Sequence, residues 1–116
     1  MDRLAALAEE FGGSRETRGS YPAWQFVQES PFRDLLLKVY RETEGHEAEV
    51  SVTHGGLECG LLAAKLPGLD CVSIGPDMVG IHTPEEKLSI ASTAGTWRYL
   101  RAALAACAEE AGPAEA

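Results

Sequence analysis

The chain has 116 residues, 45% of them hydrophobic and 24% charged, which suffices for one domain with one modest core and speaks against disorder or a repeat array. Its formal net charge is −8 and its ten basic residues are scattered, which excludes a surface for nucleic acid or anionic membranes, since both need clustered Lys and Arg. No apolar run approaches the roughly 20 residues of a membrane span, and Asp2, Glu9 and Glu10 stand where a signal peptide would be basic and then apolar, so a cytoplasmic protein is expected.

Leu4, Leu7, Ala8 and Phe11 recur at helical spacing, and Gly12-Gly13 supplies a left-handed residue to end that first helix. Tyr21-Pro22 then forces an extended backbone, and Trp24, Phe26 and Val27 read as an extended or strand segment. Ser30-Pro31 starts a second helix, the Ser as cap and the Pro at the first position, with Phe32, Leu35, Leu36, Val39 and Tyr40 on one face and Gly45 at its end. Residues 49–53 read as a brief strand with Val50 and Val52 on one face. After His54-Gly55-Gly56, a third helix carries Leu57, Leu61, Leu62 and Leu66 until Pro67-Gly68 stops it. Residues 69–74 form a nearly continuous apolar run, as in a strand buried on both faces of a parallel sheet. A loop through 76–83 holds His82; Thr83-Pro84-Glu85-Glu86 has capping-box spacing, although 87–91 could equally be extended. Ser92 is expected to cap a last helix that buries Trp97, Leu100, Leu104 and Cys107 and ends at Gly112-Pro113, leaving 114–116 as a frayed tail.

Helices alternating with strands in this order indicate an α/β fold, a partial mixed or parallel sheet with flanking helices. In such sheets function gathers where strands end and helices begin, which points to 54–60 and 75–86. Gly55-Gly56 ahead of a helix could present unpaired amides to a carboxylate or oxyanion, or could merely make a tight turn. Glu58 in the first turn suits the helix dipole whatever else it does, and His54 could contact substrate or a local backbone group. His82 could bind a metal or shuttle a proton, or simply be solvated. No His-x-Asp or His-x-x-x-His pair accompanies it, and zinc takes three or four protein ligands, so any fellow ligands must lie outside this sequence. The pairs Glu9-Glu10, Glu85-Glu86 and Glu109-Glu110 read as solvated helix faces, and Cys59, Cys71 and Cys107, at unrelated spacings, as reduced thiols in apolar surroundings.

The string from Thr53 to Ile90 resembles the C-terminal part of the catalytic domain of the aminoacyl-histidine dipeptidases, carnosinase-like two-zinc metallopeptidases also called cytosol non-specific dipeptidases. That family's pattern is His-Ala-Gly-Leu-Glu-Cys-Gly, a Ser-Ile-Gly-Pro strand end, and Gly-x-His-Ser-Pro-Asp/Glu-Glu-Lys. Here these read 54–60 with Gly55 in place of Ala, 73–76, and 80–87 with Thr83 in place of Ser. Tyr21-Pro22-Ala23-Trp24 is similar, more loosely, to the family's Tyr-Pro-Gly-Trp.

The resemblance implies that residues 1–24 are the last helix and strand of a lid domain, 25–112 the C-terminal part of the catalytic α/β domain and 113–116 a tail. It also implies that His82 is one ligand of a two-zinc site, that Gly55, Gly56 and His54 face a dipeptide substrate, and that Glu58 stands one layer behind them. No catalytic residue falls in this chain; the general-base glutamate and the other ligands belong to a missing N-terminal catalytic half. The chain would then be an inactive C-terminal segment of a zinc-dependent dipeptidase; the other reading is a stand-alone, non-catalytic α/β module for binding or association. Strands without covered edges predict a homo-oligomer. The dipeptidase reading expects the His82 ring to share a cavity with the amides of Gly55 and Gly56.

Overall fold

Each helix begins and ends where its punctuation residues allow. A computed structural model describes residues 2–53 and 55–112, so His54 and the expected tail 113–116 lie outside the described residues. Helix α1 spans Asp2–Glu10, and Gly12 follows in the left-handed region at φ 73°. Helix α2 spans Pro31–Glu44; the Ser30 hydroxyl accepts from the Arg33 amide, Pro31 occupies the first turn, and Gly45 at φ 77° ends it. Helix α3 spans Glu58–Lys65 with no side-chain cap, and α4 spans Ile90–Ala111.

Helix α4 starts three residues before the expected position. Ser89, not Ser92, is its N-cap and accepts from the Ser92 amide, while the Ser92 hydroxyl accepts from the Asp77 amide at 2.7 Å and ties the helix to the preceding loop. Residues 83–86 therefore start no helix.

Packing centres on α2 against α4, where Leu36, Val39, Tyr99 and Ala103 are buried and Phe32, Leu35 and Tyr40 close over them. The Tyr99 hydroxyl donates to the Leu36 carbonyl at 3.0 Å, and the Tyr40 and Tyr99 rings meet edge to face at 5.2 Å. Trp97 and Leu104, expected in the core, are instead exposed, because the contact stripe runs through Tyr99 and Ala103. Burying Leu36 and Val39 contributes roughly 1.5–3 kcal/mol each.

Asp70 fastens the stretch 69–74 to α2. Its Oδ1 accepts from the Ser30 hydroxyl at 2.7 Å and its Oδ2 from the Phe32 amide at 3.0 Å, at the helix end that favours negative charge. The Arg33 guanidinium donates to the carbonyls of Val27 and Gln28 and lies over the Phe26 ring, which holds that segment to the same helix.

The expected mixed or parallel sheet is not seen among the described residues, which form a two-stranded antiparallel hairpin, β1 (Met78–Val79) against β2 (Lys87–Leu88), with Met78 opposite Leu88 and Val79 opposite Lys87. Among the described residues, 49–53 and 69–74 carry no ladder. A ladder needs a neighbour within ~5 Å, and instead both stretches, with 21–27, line one cleft of about 1000 Å³. The chain is also open in shape. Its radius of gyration is 19.6 Å where a compact domain of this length would have about 13 Å, and its accessible surface is 9780 Å² where roughly 6100 Å² is usual for its mass.

Candidate functional site

Two features carry the candidate residues, the turn into α3 and the hairpin loop between β1 and β2. At the turn, Gly55 and Gly56 line the large cleft. The Gly55 amide donates to the Thr53 hydroxyl at 3.2 Å, so of the two glycine amides only that of Gly56 lacks an acceptor among the described residues. A Cβ on Gly55 would meet only Thr53 Oγ1, at 3.6 Å, which is ordinary contact. The Ala of the pattern His-Ala-Gly would therefore fit here without strain. A Cβ on Gly56 would meet the Tyr21 ring at 3.1 Å, tighter than ordinary contact, so a side chain there would have to shift that exposed ring.

Tyr21, which sequence reasoning read only as part of an extended segment, lies beside the candidate residues Gly56 and Glu58. Partial burial, then the Glu58 carboxylate and Cys59, push its phenol above the ordinary value. Glu58 is exposed in the first turn of α3 beside it. Gly60, one turn on, is buried, and a Cβ there would stand 3.0 Å from the Pro22 carbonyl oxygen, so α3 rests directly on the 22–24 backbone. Cys59 and Cys71, unrelated in sequence, are brought together, with the Cys71 thiol donating to the Cys59 carbonyl at 3.9 Å.

His82 is held differently. It is the one non-glycine with positive φ among the described residues, at 66°, in a region that costs an ordinary side chain energy and collects at functional positions. The loop around it explains how that backbone is kept. Gly80, at φ 63°, has no room for a Cβ, which would lie 3.1 Å from Thr83 Oγ1 and 3.2 Å from the Glu85 carbonyl. The Thr83 hydroxyl donates to the Gly80 carbonyl at 2.7 Å and accepts from the Glu85 amide. The Glu86 carboxylate, expected to be solvated, accepts from the His82 amide at 2.9 Å. The imidazole itself is exposed and engages no hydrogen bond among the described residues.

The structure thus brings Gly55, Gly56, Glu58 and Tyr21 together, but the cavity expected to join the Gly55 and Gly56 amides to the His82 ring is not formed by this chain: His82 stands on a separate loop, shaped by its own short-range bonds, that does not line their cleft. Among the described residues no group of three or more His, Cys, Asp or Glu could hold a metal ion, so His82 belongs to no such cluster there. No helix among them is long and apolar enough to cross a membrane.

No family model matches the chain. It is 37% identical over 100 residues to the cytosol non-specific dipeptidase of Escherichia coli (strain K12), an alignment covering 86% of this chain and 20% of that protein. It also superposes on the crystal structure of aminoacylhistidine dipeptidase from Vibrio alginolyticus with a TM-score of 0.71 and 34% identity, over 99% of this chain and 22% of that one. The resemblance to these dipeptidases is thereby shown over nearly all of this chain. The chain spans about a fifth of the length of the proteins it matches.

Proposed function

With homology to the dipeptidases as premise, we propose that the chain is the C-terminal segment of a zinc-dependent dipeptidase acting on aminoacyl-histidine and related dipeptides, inactive until joined to the remaining catalytic half. The observation that carries this reading is the loop at Gly80 to Glu86, in which the polar side chains of Thr83 and Glu86 serve to hold His82 left-handed with its ring outward. A solvated loop histidine has no need of such a frame.

In this reading His82 donates one imidazole nitrogen to the metal site, and the other ligands come from the absent half. Zinc there would polarise the scissile carbonyl and activate water. This chain's own residues bind and orient. The Gly56 amide and the uncapped first turn of α3 hold the substrate carboxylate or developing oxyanion. Gly55 lines the adjoining wall, and His54 is assigned to substrate contact by the family pattern alone. Glu58 stands behind them, and the Tyr21 ring lies against Gly56. The openness of the chain and the bare cleft walls at 49–53 and 69–74 support a body that is completed by further strands.

The test is complementation. The chain is co-expressed with a polypeptide supplying the rest of such a dipeptidase, and hydrolysis of an aminoacyl-histidine is followed with and without a chelator. Chelator-sensitive activity is expected from the pair and none from either part. His82→Ala should lower it by more than the ~10–100-fold that loss of an outer-shell partner costs. Activity indifferent to His82, or none with any such complement, would overturn the proposal.

A further inference from the structure

Cys59 and Cys71 lie twelve positions apart in sequence, one in the first turn of α3 and the other on the stretch 69–74 that lines the cleft. The fold sets them side by side. The Cys71 thiol donates to the Cys59 carbonyl at 3.9 Å, which sets its sulfur against the residue that bears the other thiol. Both are half-buried and free of any disulfide. The third cysteine, Cys107, is half-buried to the same class on α4, which makes it an internal reference for reactivity.

We propose that Cys59 and Cys71 form a two-thiol oxidation site that hydrogen peroxide converts to an intramolecular disulfide, pinning the first turn of α3 to the cleft wall at Cys71. The Cys59 sulfur attacks one peroxide oxygen, the O–O bond breaks, and water leaves with the thiol proton, giving a sulfenic acid. The Cys71 sulfur then attacks the Cys59 sulfur, the S–O bond breaks, and a second water departs with the Cys71 proton. The two thiols lose two hydrogens and two electrons, and the peroxide is reduced to two waters. Burial first, then Cys59 and Asp70, push the Cys71 thiol up, which disfavours its thiolate and suits Cys71 to the second, resolving step. The bond would join the turn carrying Gly55 and Gly56 to the segment that Asp70 clamps to α2. This inference stands on the thiol geometry and does not depend on the dipeptidase reading.

The chain is exposed to a modest excess of hydrogen peroxide, remaining thiols are alkylated, and peptides are mapped by mass spectrometry with and without reductant. The expected result is a Cys59–Cys71 cross-linked peptide within one chain, with these two thiols lost roughly tenfold faster than Cys107. In Cys71→Ser the sulfenic acid should persist on Cys59, where dimedone traps it; the wild-type map against Cys107 decides the matter if that variant does not fold. Loss of all three thiols at one rate, cross-links between chains only, or oxidation of Cys59 to sulfinic acid with Cys71 still alkylated would overturn the proposal.

Discussion

Replacing Asp70 with alanine is expected to cost about 3 kcal/mol of stability, from three contributions. The Phe32 amide loses its acceptor, although water can reach the helix end and limits that loss to about 1 kcal/mol. The Ser30 hydroxyl is more serious, because Ser30 is only 3% exposed and an unsatisfied buried donor costs about 1–3 kcal/mol. The remainder is the favourable carboxylate at the start of α2, worth about 0.3–1 kcal/mol. Asp70→Asn separates these contributions. Its amide oxygen can still accept from Phe32, and its NH₂ can donate to the free lone pair of Ser30 Oγ, the other being taken by the Arg33 amide. The Ser30 hydrogen is still stranded, so asparagine should cost about half as much as alanine. With an unfolding entropy of about 2.1 cal/mol/K per residue, 3 kcal/mol is a fall of about 12 °C in Tm and half of it about 6 °C. Thermal unfolding followed by far-ultraviolet circular dichroism reads both. Equal shifts for the two variants, or an alanine shift below about 4 °C, would refute the proposed clamp.

Gly55→Ala should leave stability unchanged or raise it by up to about 1 kcal/mol, whereas Gly56→Ala should displace the Tyr21 ring, seen as a change in tyrosine absorbance or in that ring's NMR shifts. Thr83→Ser should preserve the loop and Thr83→Val should release it, with faster hydrogen exchange at the His82 and Glu85 amides as the readout. Burial, then Tyr40, holds the Tyr99 phenol above its ordinary value near 10. The unfolded chain therefore loses that proton first, so Tyr99's contribution is intact below pH 10 and fades as pH rises above it. Tyr99→Phe should remove that part of the alkaline slope in denaturant titrations. Surface beyond that of a compact domain should make the isolated chain self-associate, and sedimentation showing one species at all concentrations would contradict this.

The helices were legible because their signals are local. Ser30-Pro31 and Gly45 bound α2 as expected, and its apolar face is the one that packs. Local rules misplaced the start of α4 because Ser89 and Ser92 are both competent caps, and the choice between them depends on the hairpin delivering Asp77 to Ser92. The parallel sheet was not recoverable, since a ladder depends on neighbours that 49–53 and 69–74 lack here. Gly55, Gly56 and His82 were singled out from a pattern of residue types, and the geometry gives physical reasons for the small residue at 56 and for the frame around His82. The Cys59 and Cys71 pairing had no periodic or motif signal, and only the return of the chain after α3 creates it.

The loop bearing His82 closes on itself. Its ends are zipped by β1 and β2, and its interior is held by Thr83 and Glu86, so its shape draws on nothing beyond residues 77–92. A piece built from its own short-range bonds can be finished before the rest of an enzyme arrives. Under the proposed reading, assembly would then require one finished part to meet another, with the backbone at His82 already set and only its exposed ring left to orient.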